Sequence, residues 1–244
     1  MPFLYNYGPS AYFRYSNSGP TTSNLFQWID ASNPSSYNGS GNIWYDLSGN
    51  SNNMTLSNYY FTGGNSFYFN GTNTATISPN MISFLNSSSF NQTQEIWFKN
   101  YVSGTYTNGV VIDELGQSTP NIGWHDSQFE IVNGIGYIRV WNNSSLNVGT
   151  FQTNVWRQLV WRYNATSGTL DGFVNGVKVV TSGNGLYRIN TNPGYYSALG
   201  QSDGTNLGNG GYFKGFIGLY RNYNKALSDS EILQNYNADK YKFS

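Results

Sequence analysis

The stretch "GFVNGVKVV", residues 172–180, constrains the fold more than any other part of the chain. Asn175 and Gly176 stand between two apolar runs, and both residue types tolerate the positive φ that a type I′ turn requires at its two central positions. A two-residue β-hairpin is predicted here. Strand-like runs of the same kind recur about every 10 to 15 residues, separated by clusters of Gly, Asn, Ser and Pro. That spacing is the mark of an all-β sandwich or barrel.

Alternation assigns faces to several of these runs. "QEIWFKN" puts Ile96 and Phe98 on one side and Glu95, Trp97 and Lys99 on the other. "WRQLVWRYN" sets Leu159, Trp161 and Tyr163 against Gln158 and Arg162, and "GYIRVWN" alternates likewise. "LFQWIDA" reads as a strand, and "SFYFNGTNTATIS" as two short strands around Asn70-Gly71. "YFKGFIGLYRNY" is apolar on both faces, with Phe216 on one side and Ile217 and Leu219 on the other. A strand of that kind is covered on both sides.

One helix signal follows. Ser228 is a good N-cap, Glu231 three residues later completes a capping box, and Ile232, Leu233 and Tyr236 repeat at helical spacing. The expected role of this helix is to cover the outer face or edge of a terminal strand, where bare sheet invites pairing with another chain. The fold class expected is an all-β, two-sheet antiparallel jelly-roll sandwich with one short C-terminal helix. Residues 1–23 show no period and read as an extended arm rich in aromatics: Phe3, Tyr5, Tyr7, Tyr12, Phe13 and Tyr15. Residues 24–244 form the domain.

Composition limits function. The 12 basic and 12 acidic residues cancel and no basic run occurs, so nucleic acid and anionic membranes are not expected partners. Without cysteine there is no disulfide and no thiolate metal site. The N-terminus lacks the charged and apolar regions of a secretory signal, and no apolar run is long enough to span a membrane. Sequons such as those at Asn86, Asn91 and Asn164 occur at the frequency that about 35 Asn produce unaided, and no glycosylation is assigned.

Four segments resemble concanavalin A-like (laminin G-type) jelly-roll domains. "FQWIDASNPSSYNGSGNIWYDLSGNSNN" is similar to the opening of that family, with its Trp-x-Asp-Leu-Ser-Gly-Asn segment, and "FYFNGTN" to its Phe-Asn-Gly-Thr turn. "WRQLVWRYNATSGTLDGFVNGVKV" looks like its Trp-bearing strand and Asn-Gly hairpin, and "GYFKGFIGLYRNYNKALSDSEILQNYN" like its closing strand and helix. The resemblance covers residues 25–238. In its stand-alone, Asn-rich form it is similar to virion proteins of phages and large DNA viruses, in which a jelly roll decorates a capsid or tips a fibre.

Enzymes of the same family carry Glu-x-Asp-x-x-Glu on one strand, supplying a nucleophile and an acid/base about 5 Å apart. The nearest match is "VVIDELG", in which Asp113 takes the central place, but Val111 and Gly116 stand where the two catalytic carboxylates belong, and Glu114 points away from Asp113 on a strand. No catalytic residue is assigned. The family also implies calcium at the sandwich rim, for which Asp203, Asn206 and Asp113 are the oxygen-bearing candidates. Aromatic and amide groups suited to a sugar occur at Trp124, His125 and Asp126, read as one loop, and at Tyr195 and Tyr196, read as sharing a second loop with Asp203 and Asn206. The favoured function is a non-enzymatic structural or decorating component of a virion or similar extracellular assembly, joined to other subunits through the arm and able to bind host glycans. The alternatives are a soluble carbohydrate-binding module and, last, a glycoside hydrolase.

Overall fold

The computed structural model describes residues 18–71, 74–77, 91–101, 110–115, 125–140, 145–186, 196–200 and 213–244. Among them sixteen strands form two antiparallel sheets. The first half of the chain gives β1 (Leu25–Asp30), β2 (Ile43–Trp44), β3 (Met54–Ser57), β4 (Tyr60–Phe61), β5 (Phe67–Asn70), β6 (Thr74–Ile77), β7 (Gln92–Asn100) and β8 (Val110–Leu115). The second half gives β9 (His125–Val132), β10 (Ile135–Val140), β11 (Leu146–Thr150), β12 (Trp156–Asn164), β13 (Thr169–Val174), β14 (Val177–Thr181), β15 (Tyr196–Leu199) and β16 (Lys214–Tyr223). Helix α1 (Asp229–Asp239) and a 3-10 turn over Lys240–Phe243 close it.

Sheet I runs β14-β13-β12-β7-β16-β5-β4, and β1 lies beside β5 on the same edge of β16. Sheet II runs β11-β10-β9-β8-β15-β6-β3-β2. This is the expected jelly-roll sandwich. The Asn175-Gly176 hairpin is present, with φ of 51° and 78° at its two turn residues. The core is one cluster of facing side chains. Ile96, Phe98, Leu159, Trp161, Tyr163 and Ile217 point in from sheet I, against Val111, Phe129, Ile131, Ile138, Val140 and Leu199 from sheet II. Asn70-Gly71 does not make a hairpin, because β5 joins sheet I and β6 sheet II.

The segment "WYDLSGN" is a clamp on β1. The Asp46 carboxylate accepts from the amides of Trp28 (2.8 Å), Ser48 (2.9 Å) and Asn52 (2.9 Å), and the Asn50 side chain donates to the carbonyls of Leu25 and Phe26. These bonds satisfy backbone groups that an irregular loop would otherwise leave unpaired.

Ile217 and Leu219 fall on opposite faces, contrary to expectation. The register of β16 against β7 slips at Gly218, so Ile217 opposes Phe98 and faces the core, whereas Leu219 opposes Trp97 and faces outward. A bulge of this kind adds one residue and reverses the alternation beyond it. Gly218 has no room for a side chain: a Cβ there would lie 2.3 Å from Phe243 and 2.7 Å from the Asn65 carbonyl oxygen.

Helix α1 carries the expected capping box, with the Ser228 hydroxyl accepting from the Glu231 amide and the Glu231 carboxylate from the Ser228 amide. It covers part of the outer face of sheet I. Trp97, Leu219 and Phe243 form one small cluster beneath the helix and the 3-10 turn, and Val160, Phe173, Tyr223, Leu227 and Ile232 form another. Its inward residues are Ile232, Asn235 and Asp239, while Leu233 is largely exposed. The described end of the arm lies on the same helix. Gln234 donates to the Gly19 carbonyl (2.7 Å), the Thr21 amide to Asn235 Oδ1 (2.8 Å), and the Tyr223 hydroxyl to the Thr21 carbonyl (3.1 Å).

Candidate functional site

Trp124, Tyr195, Asp203, Asn206 and the arm aromatics Phe3, Tyr5, Tyr7, Tyr12, Phe13 and Tyr15 lie outside the described residues. The backbone places the others. His125 and Asp126 open β9, and Tyr196 opens β15, so neither pair is wholly in a loop. Both strands flank β8, and His125 and Tyr196 each pair with Leu115. The register slips between Glu114–Ser127 and Leu115–His125, so Asp126 sits in a bulge. His125 and Tyr196, distant in sequence, are therefore brought to the same end of sheet II, with β8 between them. Tyr196 is thus in a strand, while Tyr195, Asp203 and Asn206, read as sharing its loop, lie outside the described residues.

Asp113 lies within β8, opposite Ala198 on one side and Gln128 on the other. Among the described residues no group of three or more His, Cys, Asp or Glu comes together that could hold a metal. Val111 is wholly buried in the core.

The outer face of sheet I carries an ordered row of side chains suited to a ligand. Tyr60 opposes Tyr68, Tyr68 opposes Phe216, Phe216 opposes Lys99 and Lys99 opposes Trp156, across β4, β5, β16, β7 and β12. Directly opposed residues share a face, so this is one unbroken row. The Tyr68 and Phe216 rings are 5.0 Å apart, and Tyr101 stands edge-on to both at 6.2 Å. The Lys99 ammonium lies 4.4 Å from the Phe216 ring centre and 5.2 Å from that of Trp156. At the helix end the row meets Phe243, 4.8 Å from Trp156, and continues under cover to Trp97 and Tyr236. Helix and 3-10 turn thus cover part of an aromatic face, while Tyr60, Tyr68, Phe216 and Lys99 keep solvent contact.

Two polar clusters flank the helix. Beneath it, Arg221 pairs with Asp239 at 2.6 Å and Glu95 at 3.2 Å, and Lys242 ties Asp239 (2.9 Å) to Asp30 (2.7 Å). Gln158 and Asn235 each donate to Glu95 at 2.8 Å. Burial pushes the Glu95 carboxyl above its ordinary value despite Arg221. Burial acts the same way on Asp239, but Arg221 and Lys242 outweigh it and hold that carboxyl low. Both acids are sealed from solvent, so they cannot reach a glycosidic bond. At the helix N-terminus a groove of about 560 Å³ is lined by Arg162, Asn164, Asp171, Lys225 and Glu231, among others. Its charges satisfy one another. Arg162 binds Asp171 and Asp229, and Lys225 binds Glu231 at 2.6 Å. No ring lines it.

A family model described as the concanavalin A-like lectin/glucanases superfamily matches residues 69–233, about two thirds of the chain. The chain belongs to that superfamily. Comparison with curated proteins yields no match. Among solved structures, a Trypanosoma rangeli sialidase in complex with sialic acid superposes with a TM-score of 0.69 at 16% identity, over 92% of this chain and 34% of the sialidase. The binding domain of botulinum neurotoxin DC, in complex with rat synaptotagmin II, gives 0.61 at 14% identity over 88% of this chain and 51% of that one. The same toxin domain in complex with SialylT gives 0.61 at 13% identity, over 89% and 52%. At these identities the likeness is one of fold. Superfamily membership fixes the sandwich; the ligand depends on side chains grafted onto it. The aromatic row was within reach of alternation, since Tyr68, Lys99 and Phe216 all fall on outer faces. Its alignment needed the strand register, which a sequence does not display.

Proposed function

We propose that this chain is a non-enzymatic glycan-binding module. The observation that carries the reading is the in-register row Tyr60–Tyr68–Phe216–Lys99–Trp156 on the open part of sheet I. Aromatic rings with an apolar face and a polar tip suit the C–H faces and hydroxyls of a pyranose, and an exposed apolar patch rimmed by polar groups is a usual sign of an interaction surface. Absence of catalysis is supported by Val111 in the core, where a glucanase would carry its nucleophile, and by the sealing of Glu95 and Asp239. Glycan-array binding followed by calorimetry tests the reading. Tyr60, at 66% exposure, can be changed to Ala with little effect on folding, and Tyr60→Ala should weaken binding without lowering the thermal midpoint. Unchanged affinity, or release of reducing ends from a glycan, would refute it.

A second reading has the domain decorate a virion or similar extracellular assembly through its arm. Its support is the pinning of Gly19 and Thr21 to α1, which gives residues 1–17 and their six aromatic rings a fixed point of departure. Deleting residues 1–17 should leave the thermal midpoint unchanged and abolish incorporation into the parent particle. Normal incorporation would exclude this role.

A further inference from the structure

We infer that the aromatic row selects acidic sugars, a carboxylated pyranose within a short oligosaccharide, with Lys99 and Lys214 receiving the carboxylate. This rests on the glycan-binding reading and names the ligand class of the same face. Lys214 lies two residues before Phe216 on β16, so by alternation it shares the outer face, about 7 Å along the strand. Among the described residues no carboxylate pairs with Lys99 or Lys214, whereas Lys178, Lys225 and Lys242 each have an acidic partner. In a chain with equal numbers of acids and bases, two cations without such partners on an aromatic face give that face a local positive charge.

The position of Lys99 adds to this. Its ammonium stands close to both the Phe216 and Trp156 rings, which hold it at the level of the aromatic surface. Rings on both sides displace part of its hydration, and a partly desolvated cation attracts an anion more strongly than one in bulk water. The row spans four strand gaps, about 19 Å, longer than a single sugar. A pyranose lying along the row beside Phe216 would bring a ring carboxylate within reach of Lys99, and a neighbouring unit would pass Lys214. A neutral glycan would gain the stacking and forgo the ion pair.

Calorimetry with matched probes tests this: 3′-sialyllactose against lactose, and tetragalacturonate against cellotetraose. In low salt the acidic member of at least one pair should bind about tenfold tighter, the size expected for one charge-assisted hydrogen bond. High salt should shrink that difference. Lys99→Gln combined with Lys214→Gln should erase it and leave residual binding equal to that of the neutral probe. Both lysines are partly exposed, so the double variant should stay folded, with only the small drop in thermal midpoint that the lost Lys99 ring contacts account for. Equal binding of acidic and neutral probes through Tyr60 would overturn the charge inference and leave the glycan reading intact. Absence of binding to every probe, or binding indifferent to Tyr60→Ala, would overturn both.

Discussion

Replacing Arg221 by Met removes a side chain that is wholly buried and holds two carboxylates at once, Asp239 at 2.6 Å and Glu95 at 3.2 Å. Lys242 remains for Asp239, but Glu95 keeps only its amide donors, Gln158 and Asn235. Removing one partner from a buried ion pair costs about 3–5 kcal/mol, because the other charge stays behind without compensation. For a domain of this size that lowers the thermal midpoint by about 6–20 °C, out of a total stability of about 5–15 kcal/mol. The triple variant Glu95→Gln, Arg221→Met, Asp239→Asn removes both carboxylate charges with little change in volume and should recover most of the loss. Urea unfolding followed by tryptophan fluorescence measures both, since Trp28 and Trp97 lie in or beside this layer. A single variant within about 1 kcal/mol of the parent would refute the reasoning. So would a triple variant no more stable than the single one.

Ser228→Ala breaks one side of the capping box and should cost about 0.5–2 kcal/mol, read as a lower thermal midpoint; no change would mean the cap does not hold α1. Acid should loosen the helix late. Asp239, Asp229 and Glu231 have carboxyl pKa values below their ordinary ones: burial raises each, and Arg221, Arg162 and Lys225 respectively outweigh it. Their contribution is present above the unfolded values, near pH 4, and is lost as pH falls through the folded ones. Glu95 has the opposite sign, since a raised folded value means that proton uptake favours the fold. Urea midpoints should therefore hold steady or rise as pH falls to about 4; a decline starting near pH 6 would contradict this assignment.

Much of the fold was legible because its signals are local. Asn175-Gly176, the alternation around Ile96 and Leu159, and the Ser228–Glu231 box each act within a few residues. What the sequence left hidden depends on partners far along the chain. Asn235 and Asp239 look like polar surface of a short helix, but their partners, Thr21, Glu95 and Arg221, come from other elements. The Gly218 slip reverses alternation at one residue, and an unlabelled glycine in an apolar run gives no warning of it. The same holds for the candidate site. Sequence proximity read Tyr196 as loop, whereas strand pairing sets it beside Leu115, with His125 on the far side of the same strand.

The docking of Gly19 and Thr21 on α1, and the tie from Lys242 to Asp30, have a mechanical consequence. A tether pulling at residue 18 and another at residue 244 would load the helix before either sheet. The first bonds to yield would be the few hydrogen bonds at Gly19 and Thr21 and the Lys242 pair, and the apolar clusters and Arg221 network beneath the helix would yield after them. Under tension the domain would therefore lengthen by shedding its helix as a fuse, with the sandwich still closed.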